Sequence, residues 1–324
     1  MRAVQVVTTT GPADVVVNDV PEPEAGPDEV LVEVHRVGVS FPDLLLSRGE
    51  YQLRPEPPFS LGVDVAGTVL SAPDGSGLAV GQRVAGVAGH GNAQERVALP
   101  VGSVFALPDE VTFDQGAALP MNYLTAEFAL HQRAGLQPGE TVLVHGAAGG
   151  LGTATVQVAV GMGARVVAVV GSEAKRETAT AAGAHDVVLR DGFKDAVREL
   201  TGGRGVDVVA DIVGGDAFTD SLRSLAPLGR LLVLGFAAGG EIPQVKVNRL
   251  LLNNVDVRGV GWGAYTFVAP GYMQEQWQRL LPMVAAGAVR PPVGRVYELD
   301  AFGQALTDLA ERRAQGKSVV RVRD

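Results

Sequence analysis

The stretch from Glu140 to Thr153, ETVLVHGAAGGLGT, constrains the fold of this chain more than any other. Residues 142–144 are apolar and mostly β-branched, which predicts a buried strand. A turn of small residues follows, and the apolar run from Thr153 to Val160 predicts a helix. A strand, a tight glycine turn and a helix in this order form a dinucleotide-binding site. The turn lets the backbone approach a pyrophosphate, and the helix N-terminus offers it free N–H groups.

The glycine pattern in this turn is Ala147-x-Gly149-x-x-Gly152, with alanine at the first position, so the pattern alone is weak evidence. A second apolar strand, Arg165 to Val170, follows about one helix later, as a βαβ unit requires. We therefore predict dinucleotide binding, with a purely structural glycine turn as the alternative. The turn residues assigned to the cofactor are Ala147, Ala148, Gly149, Gly150, Leu151 and Gly152.

The end of the second strand indicates which dinucleotide binds. An NAD site usually places an acidic residue there for the adenosine ribose, and here the chain reads VGSEAKR over residues 170–176. Ser172 can hydrogen-bond a phosphate and Lys175 or Arg176 can neutralise it; a unit charge pair is worth on the order of 4 kcal/mol in such a setting. We predict NADP(H), although both cations could instead solvate an exposed helix start. Glu173 is a mild counter-indication, unless it serves the helix dipole.

Composition limits the class of protein. A chain of 324 residues has room for about two domains with a sizeable core. The net charge of −9 disfavours nonspecific binding to nucleic acid or acidic membranes, and no run approaches the roughly 18 apolar residues of a membrane span. The absence of cysteine excludes disulfides, thiolate zinc sites and cysteine nucleophiles. We expect a cytoplasmic enzyme with neither nucleic-acid nor membrane partners.

The rhythm of the chain changes near residue 112. Before it, short strands alternate with Gly/Pro turns and one helix is predicted from Ser40 to Arg48, which indicates an irregular β domain. Beyond it, helices are predicted at 114–119 and 125–134, and strands and helices then alternate. This alternation favours a parallel, doubly wound sheet, so the predicted fold class is α/β.

Several segments together resemble the zinc-free quinone oxidoreductase branch of the medium-chain dehydrogenase/reductase superfamily, over essentially the whole chain. They are GVSFPD at 38–43, SRGEY at 47–51, PFSLG at 58–62, QPGETVLVHGAAGGLG at 137–152, RGVDVV at 204–209 and GK at 316–317. The resemblance implies a GroES-like catalytic domain built from residues 1–121 and 264–324, and a Rossmann domain of residues 122–263 with the cofactor in the cleft. It also implies NADPH, a homodimer, and hydride transfer to a quinone or related conjugated carbonyl.

The resemblance also implies catalytic residues. Zinc-dependent relatives carry a cysteine near Ser40, and many quinone reductases have asparagine there, so we assign Ser40 a hydrogen bond to substrate or nicotinamide. Tyr51 aligns with a tyrosine proton donor of enoyl reductases, the alternative being an aromatic wall of the substrate slot. His90 and Asp64 without a thiolate do not make a good zinc site, so no metal is predicted.

Further cofactor contacts are implied by position in the family. Thr125 matches a nicotinamide-contacting threonine and could equally be a helix N-cap. Lys317 could instead be a solvated lysine before an edge strand. His145 is the histidine most expected to touch the cofactor, and residues 245–252 with the strand after them are expected to form the dimer. The remaining cofactor residues assigned by position are Arg190, Val213, Gly235, Phe236 and Trp262.

Two other functions stay open. One is an enoyl or enone reductase acting on an α,β-unsaturated thioester or ketone, which shares the hydride donation and differs only in the substrate slot. The other is a non-catalytic NADP-binding redox sensor. An intact phosphate turn fits all three functions, so only turnover separates the sensor from the enzymes.

Overall fold

The computed structural model describes residues 1–324 and divides into two compact units. The first unit combines Met1–Met121 with Pro291–Asp324, and the second is Asn122–Arg290. The sequence analysis set the second boundary after residue 263, whereas by contacts it lies after Arg290. Residues 264–290 group with the second unit because their helix packs on the helix that follows the glycine turn; a Cβ on Gly161 would lie 2.9 Å from Met283 Sδ.

Sixteen strands build the two units, and their bounds are as follows. They are β1 Arg2–Val6, β2 Val15–Asp19, β3 Glu29–Gly38, β4 Phe59–Ser60, β5 Asp64–Ser71, β6 Arg83–Val87, β7 Arg96–Pro100, β8 Val104–Ala106, β9 Thr141–His145, β10 Arg165–Val170, β11 Asp186–Leu189, β12 Val206–Asp211, β13 Leu225–Val233, β14 Asp256–Gly259, β15 Val293–Glu298 and β16 Lys317–Arg321.

The helices lie between these strands. The α-helices are α1 Phe41–Ser47, α2 Phe113–Gly116, α3 Thr125–Glu127, α4 Gly150–Gly161, α5 Arg176–Ala181, α6 Phe193–Leu200, α7 Ala217–Arg223, α8 Asn248–Asn253, α9 Trp262–Thr266, α10 Tyr272–Ala285 and α11 Phe302–Ala310. Short 3-10 helices are Pro12–Asp14, Val101–Ser103, Glu173–Lys175 and Leu299–Ala301. None of the helices has both the length and the apolar character needed to span a membrane.

The first unit is a mostly antiparallel β domain. Its larger sheet runs β15-β16-β3-β5-β6-β8, with β7 also paired to β3, and a smaller sheet runs β2-β1-β4. Strand β16 from the C-terminal part pairs antiparallel with β3, with Val319 opposite Gly38. Alternating apolar residues of β3 face one buried core, and Phe302 of α11 packs into it. The two ends of the chain therefore complete one sheet and one core.

The second unit is a parallel sheet in the order β11-β10-β9-β12-β13-β14, with every pairing parallel. Val142, Leu143 and Val144 of β9 are fully buried, as the continuous apolar run of a central parallel strand requires. The strand order reverses at β9, since β10 lies on one side of it and β12 on the other. Ligands of doubly wound sheets bind at the carboxyl ends of strands at this reversal. The predicted fold class is confirmed.

The stretch from residue 113 to residue 134 departs from the two helices predicted there. Helix α2 covers only Phe113–Gly116, with a Thr112/Gln115 capping box, and α3 is a single turn between π-helical segments Pro120–Leu124 and Phe128–Ala134. The carbonyl of Leu124 accepts a hydrogen bond from a side chain of α10, as described below.

Candidate cofactor and catalytic sites

The turn from β9 to α4 has the geometry of an anion site. Gly146 has φ +63°, which favours glycine, and the N–H of Gly149 donates to Gly146 O at 3.0 Å. A Cβ on Gly152 would lie 2.0 Å from Gly146 O, so the helix can approach the turn this closely only with glycine there. The N-cap of α4 is Gly149, which makes no side-chain cap, and the first turn of α4 carries no acidic residue. These N–H groups and the helix dipole suit a pyrophosphate.

The six predicted turn residues present backbone rather than side chains. Ala147 and Ala148 are buried, at 0% and 2% exposure, so they can contact a ligand only through their peptide groups. Gly149, Gly150 and Leu151 are half-buried at the helix start. The structure thus brings these residues together on one turn, and the residues present fit a dinucleotide.

The tip of β10 carries the residues predicted to hold a 2′-phosphate. Ser172 is exposed and makes no side-chain cap, and Lys175 is half-buried at the end of the 3-10 helix Glu173–Lys175. The guanidinium of Arg176 instead pairs with Glu173 and donates to the carbonyl of Val187. Arg176 is therefore held in local packing, with Glu173 as its ion-pair partner.

Other predicted contacts lie at neighbouring carboxyl ends of the same sheet. Asp211, at the end of β12, is buried and accepts hydrogen bonds from the N–H groups of Val213 at 3.0 Å and Gly214 at 2.8 Å. A Cβ on Gly146 would lie 3.2 Å from Val213 Cγ2, so Val213 lies against the phosphate turn. Asp211 therefore holds the loop that carries Val213. The sequence analysis did not identify Asp211 as a residue of this site.

Phe236 and Arg190 are the more exposed members of the predicted set. Phe236 is 41% exposed and follows Gly235 beyond β13, and a Cβ on Gly214 would lie 3.1 Å from its ring. The side chain of Arg190 is 56% exposed and its Nε lies 3.7 Å from Asp191. Both cofactor assignments stay predictions.

His145 ends β9 but turns away from the turn that follows it. Its imidazole is 1% exposed, its Nε2 lies 2.8 Å from Ser221 Oγ, and Phe193 packs edge-on against the ring. Burial lowers the pKa of His145, while the charge of Asp211 acts in the opposite direction. The ring packs among β9, Phe193 of α6 and Ser221 of α7, and contact of His145 with the cofactor stays a prediction.

Trp262 and Thr125 are joined by residues that the sequence analysis missed. Trp262 is 6% exposed, and its Nε1 donates to Gln276 Oε1 at 2.8 Å. Gln276 Nε2 in turn donates to Leu124 O at 2.7 Å and to Glu127 Oε2 at 2.5 Å. Thr125 therefore comes directly after a residue whose carbonyl is hydrogen-bonded to Gln276. The N-cap of α3 is Leu124, so the N-cap alternative for Thr125 is wrong. No local signal predicts a contact across about 150 residues.

The catalytic residues predicted in the first unit cluster around the start of α1. Ser40 is the N-cap, 4% exposed, and its backbone N–H donates to Asp43 Oδ2 at 2.9 Å. Asp43 also accepts from the N–H of Gly62 at 2.9 Å. Burial raises the pKa of Asp43 to about 7, although these two N–H groups and Lys317 oppose the shift. The cap holds Phe41, which is 38% exposed, at the first position of the helix.

Lys317 is buried in the first unit rather than solvated. Its Nζ donates to Asp64 Oδ2 at 2.5 Å and to Ser40 Oγ at 2.5 Å, and the Lys317 and Asp64 side chains are 4% and 0% exposed. The alternative of a solvated lysine before an edge strand is therefore wrong. The contact of Lys317 with a cofactor stays a prediction, and its ion pair with Asp64 has no signal in the local sequence.

Tyr51 and His90 are the other residues of the first unit considered in the sequence analysis. Tyr51 is half-buried against the apolar core, and burial together with the charge of Asp43 raises the pKa of its phenol. The phenol is therefore protonated near neutral pH and can donate a hydrogen bond. His90 Nδ1 lies 3.2 Å from Ser60 O and its ring meets Phe59 edge-on. No group of three His, Asp or Glu side chains is arranged to hold a metal ion.

The chain matches two family models and is similar to known oxidoreductases. Residues 26–109 match the family model described as the alcohol dehydrogenase GroES-like domain, and residues 150–286 match the one described as zinc-binding dehydrogenase. Quinone oxidoreductase-like protein 2 of Rattus norvegicus is 40% identical over 296 residues, covering 90% of this chain and 84% of that protein.

Two solved structures superpose on nearly the whole chain. A probable oxidoreductase from Mycobacterium abscessus is 45% identical with a TM-score of 0.91, covering 99% of this chain and 98% of that chain. The quinone oxidoreductase from Thermus thermophilus, also solved in complex with NADPH, is 35% identical with a TM-score of 0.85, covering 99% and 100%.

Proposed function

Because the chain belongs to the quinone oxidoreductase branch of the medium-chain dehydrogenase/reductase family, we propose that it is an NADPH-dependent reductase that transfers hydride to a quinone or a related conjugated carbonyl. Membership confirms the resemblance drawn from the sequence and makes the chain an oxidoreductase. The observation that carries the proposal is the uncapped glycine turn of α4, where a side chain at position 152 would meet the backbone at 2.0 Å. The complex of the Thermus protein with NADPH supports the choice of cofactor.

The residues of this chain divide the work of such a reaction. The nicotinamide, when bound, supplies the hydride. The N–H groups of the α4 turn hold the pyrophosphate, and Ser172 and Lys175 hold the 2′-phosphate, where an ammonium is worth more than a hydroxyl alone. Tyr51, a protonated phenol, donates a hydrogen bond to the oxygen on which negative charge develops, and can pass its proton to it.

We propose that the reaction needs no zinc. Two observations support this: His90 Nδ1 lies 3.2 Å from the backbone carbonyl of Ser60, and the positive charge of the Lys317 ammonium beside the Ser40 hydroxyl would repel a metal cation. A strong chelator is expected to leave turnover unchanged. Loss of activity on chelation, restored by added zinc, would contradict the proposal.

The test of the function is NADPH oxidation against a naphthoquinone, a benzoquinone, a short enone and a trans-2-enoyl thioester, with NADH in parallel. We expect NADPH-dependent turnover with the quinones. Preference for the enoyl thioester would favour the alternative enoyl reductase and the proton-donor role of Tyr51. Tight NADPH binding without oxidation on any of the four would favour a redox sensor.

We also propose a homodimer formed at the β14 edge of the second unit. The outer side of β14 pairs with no other strand. Five large apolar side chains of β13, α8 and the loop before α8 are two-thirds or more exposed. They are Leu228, Ile242, Val247, Leu251 and Leu252. An unpaired strand edge near exposed apolar side chains can pair with a second copy of the chain.

A cytoplasmic location stays a prediction of the sequence.

A further inference from the structure

A buried hydrogen bond ties the end of β9 to α7. His145 Nε2 lies 2.8 Å from Ser221 Oγ, and the two residues are 1% and 0% exposed. Ser221 Oγ also donates to the carbonyl of Ala217, one turn earlier in the helix, at 2.8 Å. All three residues belong to the second unit. The strand that leads into the glycine turn is therefore held to α7 through its last residue.

The two contacts of Ser221 fix where the imidazole carries its hydrogen. A serine hydroxyl has a single hydrogen, and the carbonyl of Ala217 can only accept one. Both contacts are therefore hydrogen bonds only if Ser221 donates to Ala217 and His145 Nε2 donates to Ser221. The neutral ring then has its hydrogen on Nε2. Burial lowers the pKa of His145, which agrees with a neutral ring.

The residue after His145 is central to the geometry of the turn. Gly146 has φ +63°, and its carbonyl accepts from the N–H of Gly149 at 3.0 Å. The same carbonyl would lie 2.0 Å from a Cβ on Gly152, so the first turn of α4 packs directly against it. The first N–H groups of a helix have no intrahelical partner. Their position in α4 therefore depends on where His145 places Gly146.

The segment from Asp211 to Ser221 contacts this part of the chain at two points. Asp211 accepts from the N–H of Val213 at 3.0 Å, and a Cβ on Gly146 would lie 3.2 Å from Val213 Cγ2. The segment then continues into α7 and brings Ser221 to His145. One continuous segment thus contacts both the last residue of β9 and the first residue of the turn.

We propose that His145 and Ser221 are positioning residues for the pyrophosphate of the cofactor, with His145 donating through Nε2. The inference rests on the proposed function, since it requires a dinucleotide at this turn. The imidazole needs no contact with the cofactor in this role, because it acts through the backbone of Gly146. Without Ser221 the Nε2–H group is buried and unpaired, which favours a shift of the ring and of the end of β9. The effect belongs to ligands that place a phosphate on the turn.

The position of the hydrogen is tested without a cofactor. We expect NMR of protein with labelled histidine to show His145 at pH 7 as a neutral ring protonated on Nε2, because the two ring nitrogens have different shifts in the two tautomers. The signals of His145 are those lost in His145→Leu. Ser221→Ala should shift them and leave the other four histidines unchanged. A His145 ring with its hydrogen on Nδ1 would overturn the inference, because Nε2 would then accept instead of donating.

The positioning role is tested with two ligands in calorimetric titrations. NADPH has the pyrophosphate, whereas adenosine 2′-monophosphate has the 2′-phosphate alone. We expect Ser221→Ala to raise the Kd for NADPH about three- to tenfold, the range for one neutral hydrogen bond, and to leave the Kd for adenosine 2′-monophosphate unchanged. Ser224→Ala is the matched control. Its hydroxyl is also buried and donates to a carbonyl four residues earlier, that of Asp220, at 2.8 Å, but it does not contact His145.

The outcomes separate the inference from the proposed function. In a His145→Leu background, Ser221→Ala should change the NADPH Kd little further, because the hydrogen bond is already gone. An unchanged NADPH Kd in Ser221→Ala, or an equal rise for both ligands, would overturn the positioning role. A wild-type protein that binds NADPH and reduces none of the quinones or conjugated carbonyls would contradict the proposed function and leave the inference standing, since binding and NMR are its readouts.

Discussion

At the scale of single residues, the cofactor turn depends on a missing side chain. We expect Gly152→Ala to weaken NADPH binding more than tenfold and to lower the thermal midpoint, because its Cβ would lie 2.0 Å from Gly146 O. Overpacking of this kind typically costs about 1–3 kcal/mol. Fluorescence titration and thermal unfolding measure the two effects. Gly102→Ala is the control, since its Cβ would meet nothing within 4 Å. Normal NADPH binding by Gly152→Ala would show that cofactor binding does not depend on the close approach of the helix to the turn.

A second residue-scale prediction concerns the choice between the two nicotinamide cofactors. Lys175→Ala should raise the Michaelis constant for NADPH by about an order of magnitude with little change for NADH, because the lost charge pair is specific to the 2′-phosphate. Arg176→Ala serves for comparison; its guanidinium is engaged by Glu173 and the Val187 carbonyl, so its loss should lower stability more than selectivity. Equal changes for both cofactors in Lys175→Ala would contradict the assignment.

The roles of some single residues could be predicted from the sequence, and those of others could not. The turn residues Gly149 and Gly152 were predictable because strand, turn and helix are contiguous, and their roles follow from local backbone geometry. The pairing of Lys317 with Asp64 spans 253 residues and could not be predicted. A buried ion pair has no pattern in the sequence. A single lysine and a single aspartate are expected at the surface, and only the folded sheet shows that these two are buried together.

At the scale of elements, the start of α1 couples local stability to pH. Burial raises the pKa of Asp43 to about 7 from its usual 3.8, so the native state holds a proton that the unfolded state has already lost. The contribution of this carboxyl to stability therefore falls as the pH rises from about 4 to 7, by an amount on the order of 4 kcal/mol. Tyr51, Asp64 and Lys317 are the other ionisable groups that act on it.

Urea unfolding across this pH range checks the Asp43 prediction. We expect Asp43→Asn to remove the part of the slope between about pH 4 and 7, while losing some stability at low pH because an amide cannot accept from both N–H groups. Asp109→Asn, at an exposed position, is the control. An unchanged slope in Asp43→Asn would show that the carboxyl is ionised throughout.

Elements were predictable where one physical rule dominated. Strand β10 matches the predicted bounds, because a continuous run of mostly β-branched residues has a single interpretation. The π-helical segments around α3 were missed, since no local pattern distinguishes them from an α-helix. Strand β15 was missed because it contains Gly294, and glycine weakens a strand pattern in the sequence. The reason for the glycine is a distant contact, since a Cβ at this position would lie 2.3 Å from Gln315 O.

At the scale of the whole molecule, the exposed apolar residues beside β14 lead to a prediction about assembly. Leu251→Asp/Leu252→Asp should convert a dimer into a monomer in sedimentation, because charges would replace two side chains whose exposed fractions in one chain are 76% and 74%. Val80→Asp, equally exposed on the first unit at 73%, should leave the assembly unchanged. A monomeric wild-type protein would contradict the proposal.

Domain organisation was predictable in kind because the β-rich and alternating parts of the sequence have different periodicities. The resemblance further implied that the β-rich domain takes residues from both ends. The place of the second boundary was not evident from the sequence, since α10 reads as a surface helix of either unit. Its packing on α4, through Met283 against Gly161, assigns it to the second unit.

The pairing of β16 with β3 also sets an order of events during synthesis. A ribosome makes Asp64 long before Lys317, so the buried carboxylate has no counter-charge, and β3 lacks one neighbour, until residues 317–321 emerge. Residues 122–290 form one uninterrupted span and can fold on the nascent chain before that point. The first unit is therefore completed after the second, and a chain that stalls between residues 290 and 317 would carry a finished second unit together with an open sheet edge and an unpaired buried charge in the first.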